Sequence, residues 1–351
     1  MSEAVTLVEN ASLAGRNGFR VAARADLLAD VRRPEGLDEL FDYPFVRRSP
    51  VLVLGEGSNL LFAADWPGVV VSIATLGRRI LEDDGEFCLI RAEAGERWDD
   101  LVRWSLGQGL VGLENLSLIP GTVGASPIQN IGAYGIEVGE FIVAVEAWDR
   151  GTRRIERLSH ADCGFRYRDS VFKREPERRI VTAIELRLPR QRELRMDYPG
   201  VREELAAMGI NTPRAPHVAE AVCRLRTRKL PNPALIGNVG SFFKNPLVAA
   251  DIADALKSQN PELPVYPAAD DKQRKLSAAW LIERCGWKGK RVGDAAVSAQ
   301  HALVLVNHGN ASGAELLALA RRIAASVRER FGITLEPEAR IVGARFEDDP
   351  A

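Results

Sequence analysis

The chain has 351 residues, with 47 Lys and Arg against 48 Asp and Glu, a net charge of −1 and 46% hydrophobic residues. That balance describes a soluble globular protein long enough for two or three domains. It excludes a dedicated nucleic-acid or acidic-membrane binder, whose phosphate-binding surface needs surplus positive charge.

The opening MSEAVTLVENASLAG has no basic stretch ahead of an apolar run, so no signal peptide is expected. The apolar runs 69–73 and 302–306 fall far short of the ~20 residues that cross a bilayer. No membrane insertion and a cytoplasmic location are the expectation. Pro50–Gly55, Leu60–Phe62, Val69–Ile73 and Phe87–Ala92 are short apolar, β-branched runs bounded by turns, which predicts strands. Trp98, Leu101, Val102 and Ser105 fall at helical spacing, stopped by Gly107 and Gly109. Phe141–Trp148 and Ile180–Leu188 predict two more strands. Beyond the loop Tyr198-Pro199-Gly200 come two helical patterns, the second around Val218–Leu225 and ending at residues 228–231. Arg224, Arg226, Arg228 and Lys229 read there as a solvated helix face. Leu276–Arg284 predicts a helix and Ala302–Val306 a strand. Ser312–Phe331 is the best-defined helix, opened by a Ser312/Glu315 capping box and stopped by Gly332. The chain then ends in a short acidic tail, Glu347-Asp348-Asp349.

Cys88, Cys163, Cys223 and Cys285 are too scattered for metal-ligand spacing and suggest buried, reduced thiols. His160, His217, His301 and His308 form no zinc pattern, so no metal is expected. Gly55-Glu-Gly-Ser-Asn59 follows a strand, but a Rossmann turn would need glycine at Leu60 and a helix next. By itself it reads equally as an ordinary turn or a ligand loop. Gly121–Gly135 is more telling. Its glycines allow close backbone approach to a ligand, and its interleaved Val123, Ile128 and Ile131 argue for a buried ligand-binding loop. Three further segments have plain readings of their own: Tyr167–Ser170 as a surface ion pair, Ser241 as a helix cap and Leu335–Arg340 as a solvated turn. No histidine lies near Ser241 in sequence to support a hydrolase triad.

Seven segments in this order resemble the UDP-N-acetylenolpyruvoylglucosamine reductase family, type I. They are GEGSNLLF at 55–62, LSLIPGTVGASPIQNIGAYG at 116–135, YRDSVFK at 167–173, RTRKLPNP at 226–233, GNVGSFFKNP at 237–246, KLSAAWLIERCGWKG at 275–289 and LEPEARIVG at 335–343. The resemblance implies a mixed α/β (α+β) flavoenzyme in three parts. A vanillyl-alcohol-oxidase-like, PCMH-type FAD-binding region would span subdomains 1–75 and 76–225. A C-terminal α+β substrate-binding domain would cover 226–332, with 333–351 returning to the active site.

The implied activity is FAD-dependent, NADPH-driven reduction of UDP-N-acetyl-3-O-(1-carboxyvinyl)-glucosamine to UDP-N-acetylmuramate in peptidoglycan synthesis, with hydride from flavin N5. Carried over residue by residue, Ser241 would give the proton, with Arg168 and Glu338 as catalytic partners. Non-covalent FAD would lie against Gly55, Gly57, Ser58, Asn59, Leu60, Pro120, Gly121, Thr122, Gly124, Ala125, Gln129, Asn130, Gly132, Ala133, Tyr134 and Gly135. Tyr198, Lys229, Asn245 and Gln300, and less firmly Arg226, would bind the UDP-sugar. Two departures are Gly18 in Asn17-Gly-Phe19, where the family usually has threonine, and Ser298, where many relatives have histidine. A covalent-flavin oxidase of the wider group would carry a histidine in its first nucleotide loop, and 55–61 has neither histidine nor cysteine. A non-catalytic nucleotide-sugar binder would not need Ser241, Arg168 and Glu338 together. Helix faces satisfied within the chain favour a monomer.

Overall fold

The computed structural model describes residues 3–176, 178–268 and 270–347. Asp348 and Asp349 of the acidic tail lie outside the described residues. The chain forms two compact units, each assembled from three segments: 1–11, 25–56 and 67–227 in the first, 12–24, 57–66 and 228–351 in the second.

The first unit is built on two sheets. One runs in the order Val5–Ser12, Arg24–Val31, Trp66–Ile73, Val51–Leu54. Its last two strands are parallel, with Val51 opposite Val69 and Leu54 opposite Ser72. Val69, Val70 and Val71 are all fully buried, as expected of a parallel strand covered on both faces, whose sequence is continuously apolar. The other sheet is antiparallel, ordered Arg154–Ser159, Ile142–Asp149, Arg179–Pro189, Phe87–Glu93, Arg78–Asp83. In Phe87–Glu93 burial alternates strictly, Cys88, Ile90 and Ala92 facing the core, which is the two-residue period of a strand. The helix Trp98–Gly107 buries Trp98, Leu101, Val102 and Ser105, the residues its spacing singled out. A second, smaller core gathers Tyr134, Val201, Leu205, Val218, Val222 and Leu225.

The second unit has small antiparallel sheets at 247–276 and 291–307 and a parallel pair formed by Leu60–Phe62 and Arg340–Val342. Gly313–Phe331 is its long helix, with Ser312 and Glu315 in a reciprocal capping box and Gly332 closing it at φ 69°. Gly313 could carry no side chain: an added Cβ would fall 1.6 Å from the carbonyl oxygen of Phe62.

Two sequence expectations shift. The helix expected from Leu276 begins at Ala278, because Leu276 ends the strand Gln273–Leu276 and Ser277 caps the helix by accepting the Trp280 N–H. The strand expected from Ala302 runs Leu305–Asn307. The residues before it are held in a turn by the Val304 N–H bond to the His301 carbonyl. The Gly55–Asn59 turn does lead into a strand, Leu60–Phe62, rather than a helix. Among the described residues no helix is long and apolar enough to cross a membrane.

Candidate functional site

In the first unit the Gly121–Gly135 loop is largely buried, with Val123, Thr122, Ser126 and Asn130 inside and Ile128 and Ile131 packed on the main core. Its first turn is pinned by the Val123 and Gly124 N–H groups, which donate to the Glu96 and Ala94 carbonyls at 2.8 Å each. Gly55 and Glu56 lie against it. The Gly121 N–H donates to the Glu56 carboxylate at 3.0 Å, and a Cβ on Gly55 would stand 2.6 Å from Thr122 Oγ1. Two segments separated by some sixty residues in sequence therefore meet, with Gly55 too close to the Thr122 hydroxyl to carry a side chain.

The second half of the loop is laced to Tyr167–Lys173. Arg168 donates to the Gly132 carbonyl at 2.9 Å. Ser170, fully buried, donates its hydroxyl proton to the Ile128 carbonyl at 2.6 Å, and Lys173 Nζ donates to the Arg168 carbonyl at 2.9 Å. The Asn130 side chain is engaged inside the loop, donating to Glu137 and to the Arg166 carbonyl and accepting the Gly139 N–H. That makes it a brace for the loop. Asn130, Tyr134 and Arg168 all have positive φ, at 47°, 50° and 54°. Side chains rarely adopt this backbone, and such residues gather at functional sites where the surroundings enforce them. Tyr198 stands edge-on to Tyr134 with ring centroids 4.9 Å apart. Arg226 departs from the expected solvated face: burial pushes its guanidinium below the usual value, against the favourable effect of nearby Tyr134.

In the second unit Ser241 is in extended backbone, not at a helix N-terminus. Phe242 N–H donates to the Leu303 carbonyl at 2.8 Å, Glu338 N–H to the Phe242 carbonyl at 2.7 Å and Lys244 N–H to the Glu336 carbonyl at 2.9 Å. Ser241 bridges Val304, and Phe243 bridges Pro337. Ser241 and Glu338 are thus brought onto adjacent segments over the buried rings of Phe242 and Phe243, both of them half-buried. Leu335–Arg340, plain turn in the sequence, is the partner of this segment.

The Gly57–Leu60 stretch meets the same segment. Asn59 Nδ2 donates to the Glu338 carbonyl at 3.2 Å, and Arg340 N–H donates to the Asn59 carbonyl at 3.0 Å. Gly57, at φ 66°, has the Arg16 carbonyl oxygen 2.0 Å from where a Cβ would stand. Asn245 Oδ1 accepts the Ala278 N–H at 3.0 Å, at the start of a helix. Gln300 is exposed, its backbone N–H donating to buried Ser298. Lys229 is exposed at the end of the helix Ala215–Lys229. Burial, together with the cations of Lys229 and Lys288, holds neighbouring His301 below its ordinary pKa. Of the departures, Gly18 has a structural cause: a Cβ there would lie 2.5 Å from the Asn238 carbonyl oxygen, leaving no room for threonine.

Sequence reasoning missed the buried asparagines that join this unit. Asn17 donates to the Leu13 and Val21 carbonyls, and Asn307 donates to the Phe19 and Ala311 carbonyls. Of the cysteines, expected to be buried, Cys88 and Cys163 are, whereas Cys223 and Cys285 are half-buried. Burial pushes the Cys163 thiol up to about 12, the inert state of a buried thiol. Among the described residues no His, Cys, Asp and Glu group is arranged to hold a metal. A cavity of 280 Å³ against Val5, Leu7, Tyr43 and Pro44 holds none of the candidate residues.

The residues present fit a phosphate-bearing dinucleotide such as FAD. The Gly55 backbone lies close against the Thr122 hydroxyl, Arg168 stands beside Gly132, and the acidic Glu56 is turned to Gly121 and to Arg97 at 3.2 Å. Close-packed glycine backbone with a cation beside it is the setting in which anionic oxygens are bound.

Two family models match the chain. Residues 232–342 match the family model described as UDP-N-acetylenolpyruvoylglucosamine reductase, C-terminal domain, and residues 27–159 match an FAD binding domain. The chain is 54% identical over 350 residues to the UDP-N-acetylenolpyruvoylglucosamine reductase of Xanthomonas euvesicatoria pv. vesicatoria, covering 99% of this chain and 100% of that one. It is 53% identical over 337 residues to the protein of the same name from Xylella fastidiosa, covering 96% of each. Among solved structures it is similar to the UDP-N-acetylenolpyruvylglucosamine reductase of Thermus caldophilus, with TM-score 0.64 and 27% identity over 96% of this chain and 98% of that one.

Proposed function

The chain belongs to the UDP-N-acetylenolpyruvoylglucosamine reductase family and is an FAD-dependent oxidoreductase, and we propose that it uses NADPH to reduce the enolpyruvyl ether of a UDP-sugar to UDP-N-acetylmuramate. Bound FAD would supply hydride, taken from NADPH, to the terminal vinyl carbon. Addition there pushes charge toward the substrate carboxylate, and stabilising charge where it develops is usually the largest catalytic contribution. Arg168 suits that role because its guanidinium is permanently cationic and forked to match a carboxylate. Its bond to the Gly132 carbonyl fixes its direction, so little reorganisation is needed when charge appears.

The neighbouring carbon then needs a proton, which Ser241 gives. A serine hydroxyl is a weak acid, so the basicity of the enediolate-like species must draw the proton out. Glu338 assists from the adjacent segment. Lys229, Asn245, Gln300 and Tyr198, with Arg226, bind the nucleotide sugar, chiefly its diphosphate. The 55–60 and 120–135 stretches would hold FAD, and the functional ranges would be 1–75 and 76–225 for FAD, 226–332 for substrate and 333–351 for the returning segment.

The observation that carries this reading is the pairing of the Ser241 and Glu338 segments through the Phe242 carbonyl, with Asn59 bonded to the same Glu338 backbone. It supports a shared site for a donor hydroxyl, a carboxyl group and the first glycine turn. The test is anaerobic: NADPH should bleach the flavin spectrum, and adding the enolpyruvyl nucleotide sugar should restore it with formation of the lactyl ether. A flavin that NADPH leaves oxidised would remove the NADPH half of the proposal. One that NADPH reduces but the nucleotide sugar cannot reoxidise would remove the substrate half.

A further inference from the structure

Asn115 belongs to no segment with a role so far. It sits in the one-turn helix Glu114–Leu116 and is fully buried. That turn is rigidly held. Gly112 N–H donates to the Glu114 carboxylate at 2.5 Å, Ser117 donates its hydroxyl proton to the Glu114 carbonyl at 2.8 Å, and Trp98 Nε1 donates to the Leu116 carbonyl at 3.0 Å.

From this fixed base Asn115 Nδ2 donates twice. One bond, 2.8 Å, goes to the carbonyl of Tyr134 in the glycine-rich loop. The other, 2.9 Å, goes to the carbonyl of Arg195, three residues ahead of Tyr198. A primary amide is the uncharged side-chain group that offers two donors from one planar nitrogen, so the two carbonyls are fixed in direction relative to each other. A flipped amide would set its oxygen against both of them, which settles the orientation. Around the clamp, Leu194 and Met196 pack on the small core that contains Tyr134, and the Tyr134 and Tyr198 rings meet edge-on at 66°.

We propose that Asn115 is a positioning residue that sets the Arg195–Tyr198 segment against the Gly132–Gly135 loop and thereby tunes affinity for the nucleotide sugar. The inference rests on the reading that Tyr198 binds that substrate. Leucine at 115 keeps the shape of the side chain and removes both donors, leaving the buried Tyr134 carbonyl and the part-buried Arg195 carbonyl without that partner. An unmet carbonyl is costly where water cannot reach it, and the segment escapes that cost by moving.

The test is a cycle of Asn115→Leu, Tyr198→Ala and the double variant, each as holoenzyme, read as KM for the enolpyruvyl nucleotide sugar at fixed NADPH. Asn115→Leu should raise KM about tenfold, the equivalent of 1.4 kcal/mol, with flavin content unchanged and kcat much less affected. The double variant should show no higher KM than Tyr198→Ala alone, because a residue acting through Tyr198 has nothing left to position. Effects that multiply would overturn the inference, as would an unchanged KM in Asn115→Leu beside a raised one in Tyr198→Ala. An unchanged KM in Tyr198→Ala would instead remove the reading of Tyr198, and the inference with it. If Asn115→Leu fails to fold, Asn115→Ser, which keeps one donor, enters the same cycle with a smaller rise and the same requirement of non-additivity.

Discussion

Ser241 is half-buried, in extended backbone, and its neighbours Phe242 and Phe243 fix it from below with rings that are fully buried and 5.1 Å apart. Removing only its hydroxyl should leave that scaffold intact. Ser241→Ala is therefore expected to keep NADPH-driven flavin reduction within a fewfold of wild type. Reoxidation by the nucleotide sugar should slow by about 10²–10⁴, the usual contribution of a positioned proton donor. Stopped-flow absorbance separates the two half-reactions, and equal slowing of both would remove the proton-donor role. At this scale the sequence named candidates and was silent about their partners. Ser241, Arg168 and Glu338 stood out through resemblance alone. Their individual surroundings had suggested a helix cap, a surface ion pair and a solvated turn. The reason is distance along the chain: Asn59 bonds the backbone of Glu338 across 279 positions, and no local pattern encodes a contact of that kind. The same holds for Asn17, Asn115 and Asn307, whose amides are common surface residues in sequence and buried braces in the structure.

Elements were legible in proportion to how much of their stabilisation is local. The helix Gly313–Phe331 was read to within a residue, because its start is a reciprocal Ser312/Glu315 box and its stop a left-handed glycine. Both ends are written within four residues of sequence. The short strand Leu305–Asn307 was displaced because its start is set by the His301–Val304 turn and by the bridge to Ser241, neither of which is periodic. Local encoding makes the helix start testable by titration. The Glu315 carboxyl lies below its ordinary 4.5, held there first by the Ser312 backbone N–H and then by the Ser312 hydroxyl. A lowered folded-state pKa means that the folded chain binds protons less readily than the unfolded one. The resulting stability is present above pH 4.5 and is lost as pH falls through the folded value. Ser312→Ala removes the second cause and leaves the first. The Glu315 titration, followed by NMR, should rise toward 4.5 without reaching it, and denaturant unfolding at neutral pH should show a loss of about 1 kcal/mol. An unmoved titration would mean that the box does not form in solution.

The organisation of the whole chain was the least legible part, because the ranges suggested by motif order are continuous and the compact units are not. Residues 12–24 and 57–66 fold with 228–351, although in sequence they sit among strands of the other unit. What draws them there is again long-range. Asn307 donates to the Phe19 carbonyl at 3.0 Å, Phe19 packs on Phe242 at 6.3 Å, and Arg340–Val342 finds its parallel partner in Leu60–Phe62. The N-terminus of the longest helix rests on the Phe62 carbonyl, so closely that Gly313 is obligatory. A fragment beginning at Arg226 would keep its own helices but lose each of these. It would have an unpaired strand edge at 340–342, an uncovered Phe242 and a buried amide at Asn307 with one acceptor gone, and unmet buried polar groups and strand edges are costly. Residues 226–351 expressed alone should accordingly show helical circular dichroism without cooperative urea unfolding, and amide signals collapsed into a narrow range. Supplying residues 1–225 from a second chain should restore dispersion and flavin binding together. A sharp, well-dispersed spectrum from the isolated fragment would show that the inserted segments are dispensable to that unit, and that the interleaving of the chain serves the site rather than the fold.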